Sequence, residues 1–303
     1  MVGLIVGKFY PYHKGHQFLV NTALNECTKV IVLQCLEPWM DSRRTTDINN
    51  ENVIELQFPY SEELKYQYSD DDEQVSKEWA LAIKKFLFVR GINVDKVFGS
   101  DLYIENFSKH LGADFCIVDS ERENYKISAT KIRNSLIKNW DFVVNKRKWQ
   151  KIIVFWGTEG IGKTTHVQQM QMKFGELYSY VYEFGRTLAK KATEMNYEDY
   201  VTILNGHYNL LKKAIEEDKP VIFSDTDFVT TYSYMRFMYG EIGIPDFDEI
   251  VDRYSQNIKT EYRGLYKDKF LDDGKDSTRL PLEDRILLQH HHEYYHNKLK
   301  PKL

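Results

Sequence analysis

Apolar residues along this chain gather in short, dense runs separated by longer amphipathic stretches, the pattern of a protein that alternates strands and helices. Residues 2–6 form a β-rich run ending at Gly7, and residues 29–36, 94–100 and 114–118 repeat the theme. A helix is expected to lead out of the first run and to continue through Glu26. Residues 75–89 place Trp79, Ala82, Ile83, Phe86 and Leu87 on one helix face by their three-and-four spacing. A second series begins with the run 151–156 and continues with strands expected at 179–182 and 220–224. Helices are expected over 163–174, in a stretch ending near Glu217, and over 282–297. Strands that alternate with helices imply parallel, doubly wound sheets, which bind ligands at the carboxyl ends of their strands.

The second series carries the sharpest motif. Gly157-Thr158-Glu159-Gly160-Ile161-Gly162-Lys163-Thr164-Thr165 follows an apolar run and opens a helical one. That is the context of a P-loop, G-x-x-x-x-G-K-S/T. Gly157, Gly160 and Gly162 let backbone N–H groups turn inward around a phosphate, and the helix start adds its partial positive charge. Lys163 reaches the outer phosphates, Thr164 can ligand Mg²⁺, and Thr165 extends the cradle. A flexible glycine turn is the bland alternative, and it does not account for the flanking strand and helix. A P-loop opens its domain on the first strand, so two doubly wound α/β domains are expected, residues 1–146 and 147–303.

Downstream, Glu183 and Arg186 form a charged pair at a strand's carboxyl end, facing the nucleotide crevice or else making a surface ion pair. Asp225-Thr226-Asp227 ends an apolar run in the Walker-B form. One carboxylate there can reach Mg²⁺, and another can orient or deprotonate a hydroxyl acceptor. Asp225 is expected at the metal and the substrate and Asp227 among the catalytic groups, with the base left open between the two. The charged, glycine-containing stretch 271–279 suits a lid over a triphosphate, with Arg279 or Arg285 supplying charge. His290, His291 and His292 are consecutive, share no helix face, and are expected on the solvated surface.

In the first domain, Gly7-Lys8-Phe9-Tyr10-Pro11-Tyr12-His13-Lys14-Gly15-His16 joins a strand to a helix. His13 and His16 stand three apart beside free N–H groups, a phosphate site with titratable donors, and Gly15 allows close approach. A zinc site would need a third ligand that the neighbourhood lacks. Ser128, Thr130 and Arg133 open another helix. They read equally as a simple N-cap or as a second phosphate clamp.

Composition narrows the classes. The 303 residues are 42% hydrophobic and 28% charged with a net charge of −4, which suits a soluble protein and gives no cationic excess for nucleic acid. Cys27, Cys35 and Cys116 lack the spacing of a disulfide framework or zinc site. No apolar stretch is long enough to span a bilayer, and the start is too short for a signal peptide. A cytoplasmic protein with no membrane or nucleic-acid partner is expected, and a homo-oligomer is left open.

The paired motifs G-K-F-x-P-x-H-x-G-H and I-S-A-T-K-I-R resemble the nucleotidylyltransferase superfamily over about residues 1–140. With the P-loop, Y-E-F-G-R and D-T-D-F behind them, the chain resembles the bifunctional nicotinamide mononucleotide adenylyltransferase and ribosylnicotinamide kinase family of NadR type. The resemblance implies a Rossmann-like adenylyltransferase domain followed by a P-loop kinase domain. It implies that the kinase phosphorylates nicotinamide riboside with ATP and that the first domain adenylylates the mononucleotide to NAD. It further implies that His13 and His16 stabilise the transition state. Gly7, Lys8, Phe9, Gly15, Ser128, Thr130 and Arg133 would hold ATP in the first domain. Gly157, Gly160, Gly162, Lys163, Thr164, Thr165 and Arg279 would hold it in the second. Trp79 falls where relatives stack the nicotinamide ring, or is an ordinary core tryptophan.

Three departures shape the expectations. The chain opens at the first strand, so the DNA-binding helix-turn-helix of full-length relatives, and with it repression, is expected to be absent. Between Met40 and Asn52 the chain is short of the helix expected after the second strand. Residues 255–269 are polar where relatives continue with an apolar strand, so the second sheet is expected to be trimmed. The rival readings are another small-phosphate adenylyltransferase, such as one for pantetheine phosphate, fused to a different kinase, or a nucleotide-sensing module without turnover.

Overall fold

The computed structural model describes residues 1–41, 43, 46–59, 61, 64, 73–240, 259–264 and 280–299. Backbone contacts divide the chain into two units, Met1–Asn145 and Lys146–Leu303. Both are α/β with parallel sheets.

In the first unit the elements run β1 (Val2–Gly7), α1 (Lys14–Glu26), β2 (Lys29–Cys35), β3 (Val53–Phe58), α2 (Glu73–Phe88), β4 (Lys96–Gly99), α3 (Tyr103–Leu111), β5 (Asp114–Ile117) and α4 (Ala129–Asn134). The strand order is β3-β2-β1-β4-β5, with every pairing parallel. Successive side chains of a strand point to opposite faces, and the core divides accordingly. Ile5, Val30, Val32 and Phe98 pack on Leu19, Val20 and Ala23 of α1. Leu4, Ile31, Leu33 and Val97 pack on Ala80, Ile83 and Leu87 of α2 and on Ile104, Phe107 and Leu111 of α3. Each such buried aliphatic or aromatic side chain contributes about 1.5–3 kcal/mol. The chain builds outward from β1 through β2 and β3, then returns to lay β4 and β5 on the other side. The carboxyl ends of β1 and β4 therefore form the switch point where such sheets take ligands.

Strand β3 is absent from the sequence reading. Val53-Ile-Glu-Leu-Gln-Phe58 mixes polar and apolar residues and lies at the sheet's edge, where only Phe58 is fully buried. Residues 94–100 yield the shorter strand Lys96–Gly99. Among the described residues between Met40 and Asn52 there is no α-helix.

The second unit runs α5 (Lys146–Trp149), β6 (Lys151–Trp156), α6 (Lys163–Phe174), β7 (Ser179–Val181), α7 (Tyr197–Glu216), β8 (Val221–Asp225), α8 (Phe228–Tyr239), β9 (Lys259–Gly264) and α9 (Leu282–Leu299). Its parallel sheet has the order β7-β8-β6-β9. The sheet is not trimmed at 255–269: β9 pairs with β6 from Lys151 opposite Lys259 to Trp156 opposite Gly264. Backbone pairing places this strand, which a hydropathy pattern cannot show.

Helix α9 overturns a second expectation. Arg285, Gln289, His292 and His296 repeat at helical spacing and are all buried, while Leu282, Ile286, Leu287 and Tyr294 are exposed. His290 is exposed as expected, but His292 is not. The reason lies in α8, which meets α9 with polar side chains: Ser233 pairs with His292, and the Thr230 hydroxyl lies 2.9 Å from His296 Nε2. Among the described residues no helix is long and apolar enough to cross a membrane.

Two candidate phosphate-binding sites

At the β1/β4 switch point of the first unit lies a cavity of about 260 Å³. Gly7, Lys8, Phe9, His13, Gly15, His16 and Ser128 line it. His13 is the N-cap of α1, in extended backbone, and its Nδ1 accepts from Gly15 N at 3.2 Å and His16 N at 3.4 Å. An Nδ1 that accepts leaves the ring proton on Nε2, so a neutral His13 is fixed as a donor through that nitrogen. The His16 ring stacks on it, with centroids 3.6 Å apart and planes 23° off parallel. A Cβ on Gly15 would stand 3.1 Å from the His13 ring, so glycine is what lets the ring fold back over the helix start. Phe9 holds φ of +48°, a left-handed backbone rare for a bulky residue, and meets the His16 ring edge-on at 4.9 Å.

Burial, together with the nearby Arg122, pushes His13 down to about 4. Burial, His13 and Arg122 hold His16 well below the usual range. Both rings are therefore neutral near pH 7 without an anion beside them. Polyphosphate placed there would favour the charged form of both.

Helix α4 flanks the cavity. Ser128 caps it, its Oγ accepting from Lys131 N at 3.2 Å. Arg133 donates from Nη2 to Thr130 Oγ1 at 3.0 Å and from Nη1 to the Tyr10 carbonyl. Lys8 pairs with Glu37 at 2.7 Å. Trp79 is not part of the cavity lining: it packs on Phe58 at the carboxyl end of β3, with ring centroids 5.9 Å apart. Arg122 and Asp101, paired at 3.6 Å, also line the cavity; the sequence places Gly99-Ser100-Asp101 at a ligand-binding strand end, whereas Arg122 was missed. Their only signal is position, each just beyond the end of a strand.

In the second unit the loop after β6 has positive φ at Gly157, Gly160 and Gly162 (135°, 78° and 94°). Backbone of that kind turns consecutive N–H groups to one side. Lys163 is nearly buried and folds across its own loop, donating from Nζ to Gly157 O at 2.8 Å and Thr158 O at 3.0 Å. Behind it runs a polar chain. Glu183 Oε2 accepts from Arg186 Nε at 3.0 Å, and Arg186 Nη2 donates to Thr164 Oγ1 at 3.1 Å. Thr164 Oγ1 donates in turn to Asp225 Oδ2 at 2.5 Å. Burial, and next the charge of Glu183, raise the Asp225 carboxyl above its ordinary range.

Asp227 is elsewhere. It is the N-cap of α8, fully buried, and accepts from Thr230 N and Thr230 Oγ1, each at 2.9 Å. Thr165 lies in the first turn of α6 with its side chain exposed, and Arg285 is buried on α9. Arg279, with the whole stretch 271–279, lies outside the described residues. Gln289 and Glu159 escaped the sequence reading. Gln289 Oε1 accepts from Thr158 N at 2.9 Å, and Glu159 accepts from the Tyr234 hydroxyl and from Leu280 N, each at 2.9 Å. His207 is also buried, beneath β8, where Nε2 meets Ser224 Oγ at 3.3 Å, and burial pushes it down to about 4.

A family model described as an AAA domain matches residues 152–294. The trifunctional NAD biosynthesis/regulator protein NadR of Escherichia coli K12 is 25% identical over 275 residues, covering 84% of this chain. Its counterpart from Salmonella typhimurium LT2 is 26% identical over 279 residues, again covering 84%. The chain spans 66% of the length of these relatives. Crystal structures of NadR protein, one in complex with NR and one with NAD and AMP-PNP, superpose with TM-scores of 0.59 and 0.60 at 17% and 15% identity. Each alignment covers 99% of this chain, and 86% and 88% of the other respectively. The chain is thus similar to NadR proteins over most of its length, two α/β units with parallel sheets of which the second carries the P-loop and matches an AAA-domain model.

Proposed function

We propose that this chain carries out two ATP-dependent transfers in NAD biosynthesis, phosphorylating nicotinamide riboside at the second site and adenylylating nicotinamide mononucleotide at the first. The observation that carries the reading is the pair of separate phosphate cradles in one chain. Stacked, neutral histidines sit at one switch point, and a P-loop with its Thr164–Asp225 pair at the other. The similarity to NadR, whose structures hold NR, NAD and AMP-PNP, supports the choice of substrates.

At the first site a phosphate oxygen of the mononucleotide attacks the α-phosphorus of ATP in line. The bond from that phosphorus to the bridging oxygen breaks, and pyrophosphate leaves. No covalent enzyme intermediate is needed, so catalysis is positioning and charge stabilisation. His13 donates through Nε2–H and His16 lies against it, while Lys8, Ser128, Thr130 and Arg133 hold the outer phosphates. Gly7, Phe9 and Gly15 shape the backbone beneath. Trp79, at the β3 end, takes the nicotinamide ring.

At the second site the 5′-hydroxyl of the riboside attacks the γ-phosphorus, its proton passes to water, the bond to the β,γ-bridging oxygen breaks and ADP leaves. Lys163 exchanges its two loop carbonyls for phosphate oxygens, and Gly157 to Thr165 wrap the rest. Mg²⁺ fits the residues present: Thr164 Oγ1 and Asp225 Oδ2 lie 2.5 Å apart, and Mg²⁺ asks for one or two protein oxygens beside water and phosphate. Bound there, it would neutralise charge on the triphosphate. The described residues hold no cluster of three acidic, histidine or cysteine ligands, and a Mg²⁺–nucleotide complex needs none. Glu183 and Arg186 face the riboside. In this reading Asp227, the N-cap of α8, serves the placement of that helix, and Asp225 at the strand end is the acidic group of the site.

The test is product analysis. Riboside with Mg-ATP should give mononucleotide and ADP, and mononucleotide with Mg-ATP should give NAD and pyrophosphate. Adenylylation of pantetheine phosphate with none of the mononucleotide would overturn the assignment.

A further inference from the structure

Of the five tryptophans, Trp39 alone is more than half exposed, at 52%. It lies just past the carboxyl end of β2, and three groups of the first site surround its ring. Lys8 Nζ is 5.9 Å from the ring centroid and Arg133 Cζ is 5.2 Å away. The Tyr10 ring meets it edge-on at 5.4 Å.

The two cations arrive from different parts of the fold, Lys8 from the end of β1 and Arg133 from α4. Like charges repel, and each has its own partners: Glu37 for Lys8, Thr130 and the Tyr10 carbonyl for Arg133. The indole is a contact common to both, and its negative face attracts each. An incoming polyphosphate competes with Glu37 for Lys8, because both are anions. An uncharged ring offers phosphate no such competition and keeps its hold.

We propose that Trp39 is a positioning residue of the adenylyl-transfer site, gathering Lys8 and Arg133 so that the triphosphate meets two cations already in place. This rests on reading the first unit as an adenylyltransferase whose triphosphate is held by Lys8 and Arg133. Cations ordered before binding spare the ligand the cost of ordering them, so the effect falls on nucleotide affinity.

The test uses the full chain with Trp39→Ala and Trp39→Phe. ATP affinity is measured by calorimetry in a Lys163→Ala background, which silences the second site, and steady-state adenylylation of the mononucleotide is measured beside it. Two exposed cation–π contacts predict that Trp39→Ala weakens ATP binding about five- to thirty-fold and raises KM for ATP to match, with kcat within about two-fold. Trp39→Phe should recover most of the loss, since a benzene face also attracts cations. KM for the mononucleotide should not move. ATP binding unchanged in Trp39→Ala, a phenylalanine no better than alanine, or a rise confined to KM for the mononucleotide would each overturn the proposal. Trp39-dependent ATP binding with no transfer to the mononucleotide would instead contradict the functional reading and leave Trp39's role standing.

Discussion

Histidine protonation is where single residues set the behaviour of this protein. His13 and His207 are pushed from the usual 6.5 to about 4, and His16 and His292 are also held low. Between pH 6.5 and 4 the unfolded chain takes up protons that the folded chain refuses, so stability is complete above 6.5 and falls as the pH drops. Each pH unit of that refusal is worth about 1.4 kcal/mol, so His207 alone removes about 3 kcal/mol across the window. Asp225, whose carboxyl burial raises, pulls the other way over part of the range. With His13 and His207 both pushed to about 4, the urea midpoint should drop from pH 6.5 to 5, before most carboxylates titrate. A flat midpoint over that interval would show that these rings accept protons while folded. ATP, by favouring charged His13 and His16, should lessen the drop.

At the scale of elements, β8 and α8 place two neighbouring carboxylates in different surroundings. Asp227 caps α8 and Asp225 closes β8, two residues apart in sequence but in different surroundings. Asp227→Ala should cost about 0.5–2 kcal/mol of stability as a lost cap, with more possible because the Thr230 hydroxyl loses its acceptor too. Asp225→Asn should lower riboside phosphorylation about a hundred-fold while the melting temperature changes little. Thermal melts and phosphorylation rates on both variants decide this, and the reverse pattern would return the chemistry to Asp227. The motif string D-T-D could not distinguish the two, because an N-cap aspartate and a strand-end aspartate look alike until the helix start is known. Similar reasons hid β3 and β9, whose places depend on backbone pairing at a sheet edge. The inverted α9 was illegible too, since a polar helix face reads as solvated unless its partner helix is seen to be polar. What could be read were strands with continuous apolar runs, such as β1, β2 and β6, and motifs whose glycines and cations have a fixed task, such as Gly157 to Lys163.

At the scale of the whole molecule, each unit has its own sheet, its own core and its own candidate phosphate site. The account therefore requires two chemically independent sites. The most direct measurement assays Lys163→Ala and His16→Ala on both substrates, after circular dichroism shows each variant folded. Lys163→Ala should suppress riboside phosphorylation a hundred-fold or more and leave NAD formation from the mononucleotide nearly intact. His16→Ala should do the reverse, so that mononucleotide accumulates from the riboside. Loss of both reactions in a folded Lys163→Ala protein would contradict the account and point to one shared site.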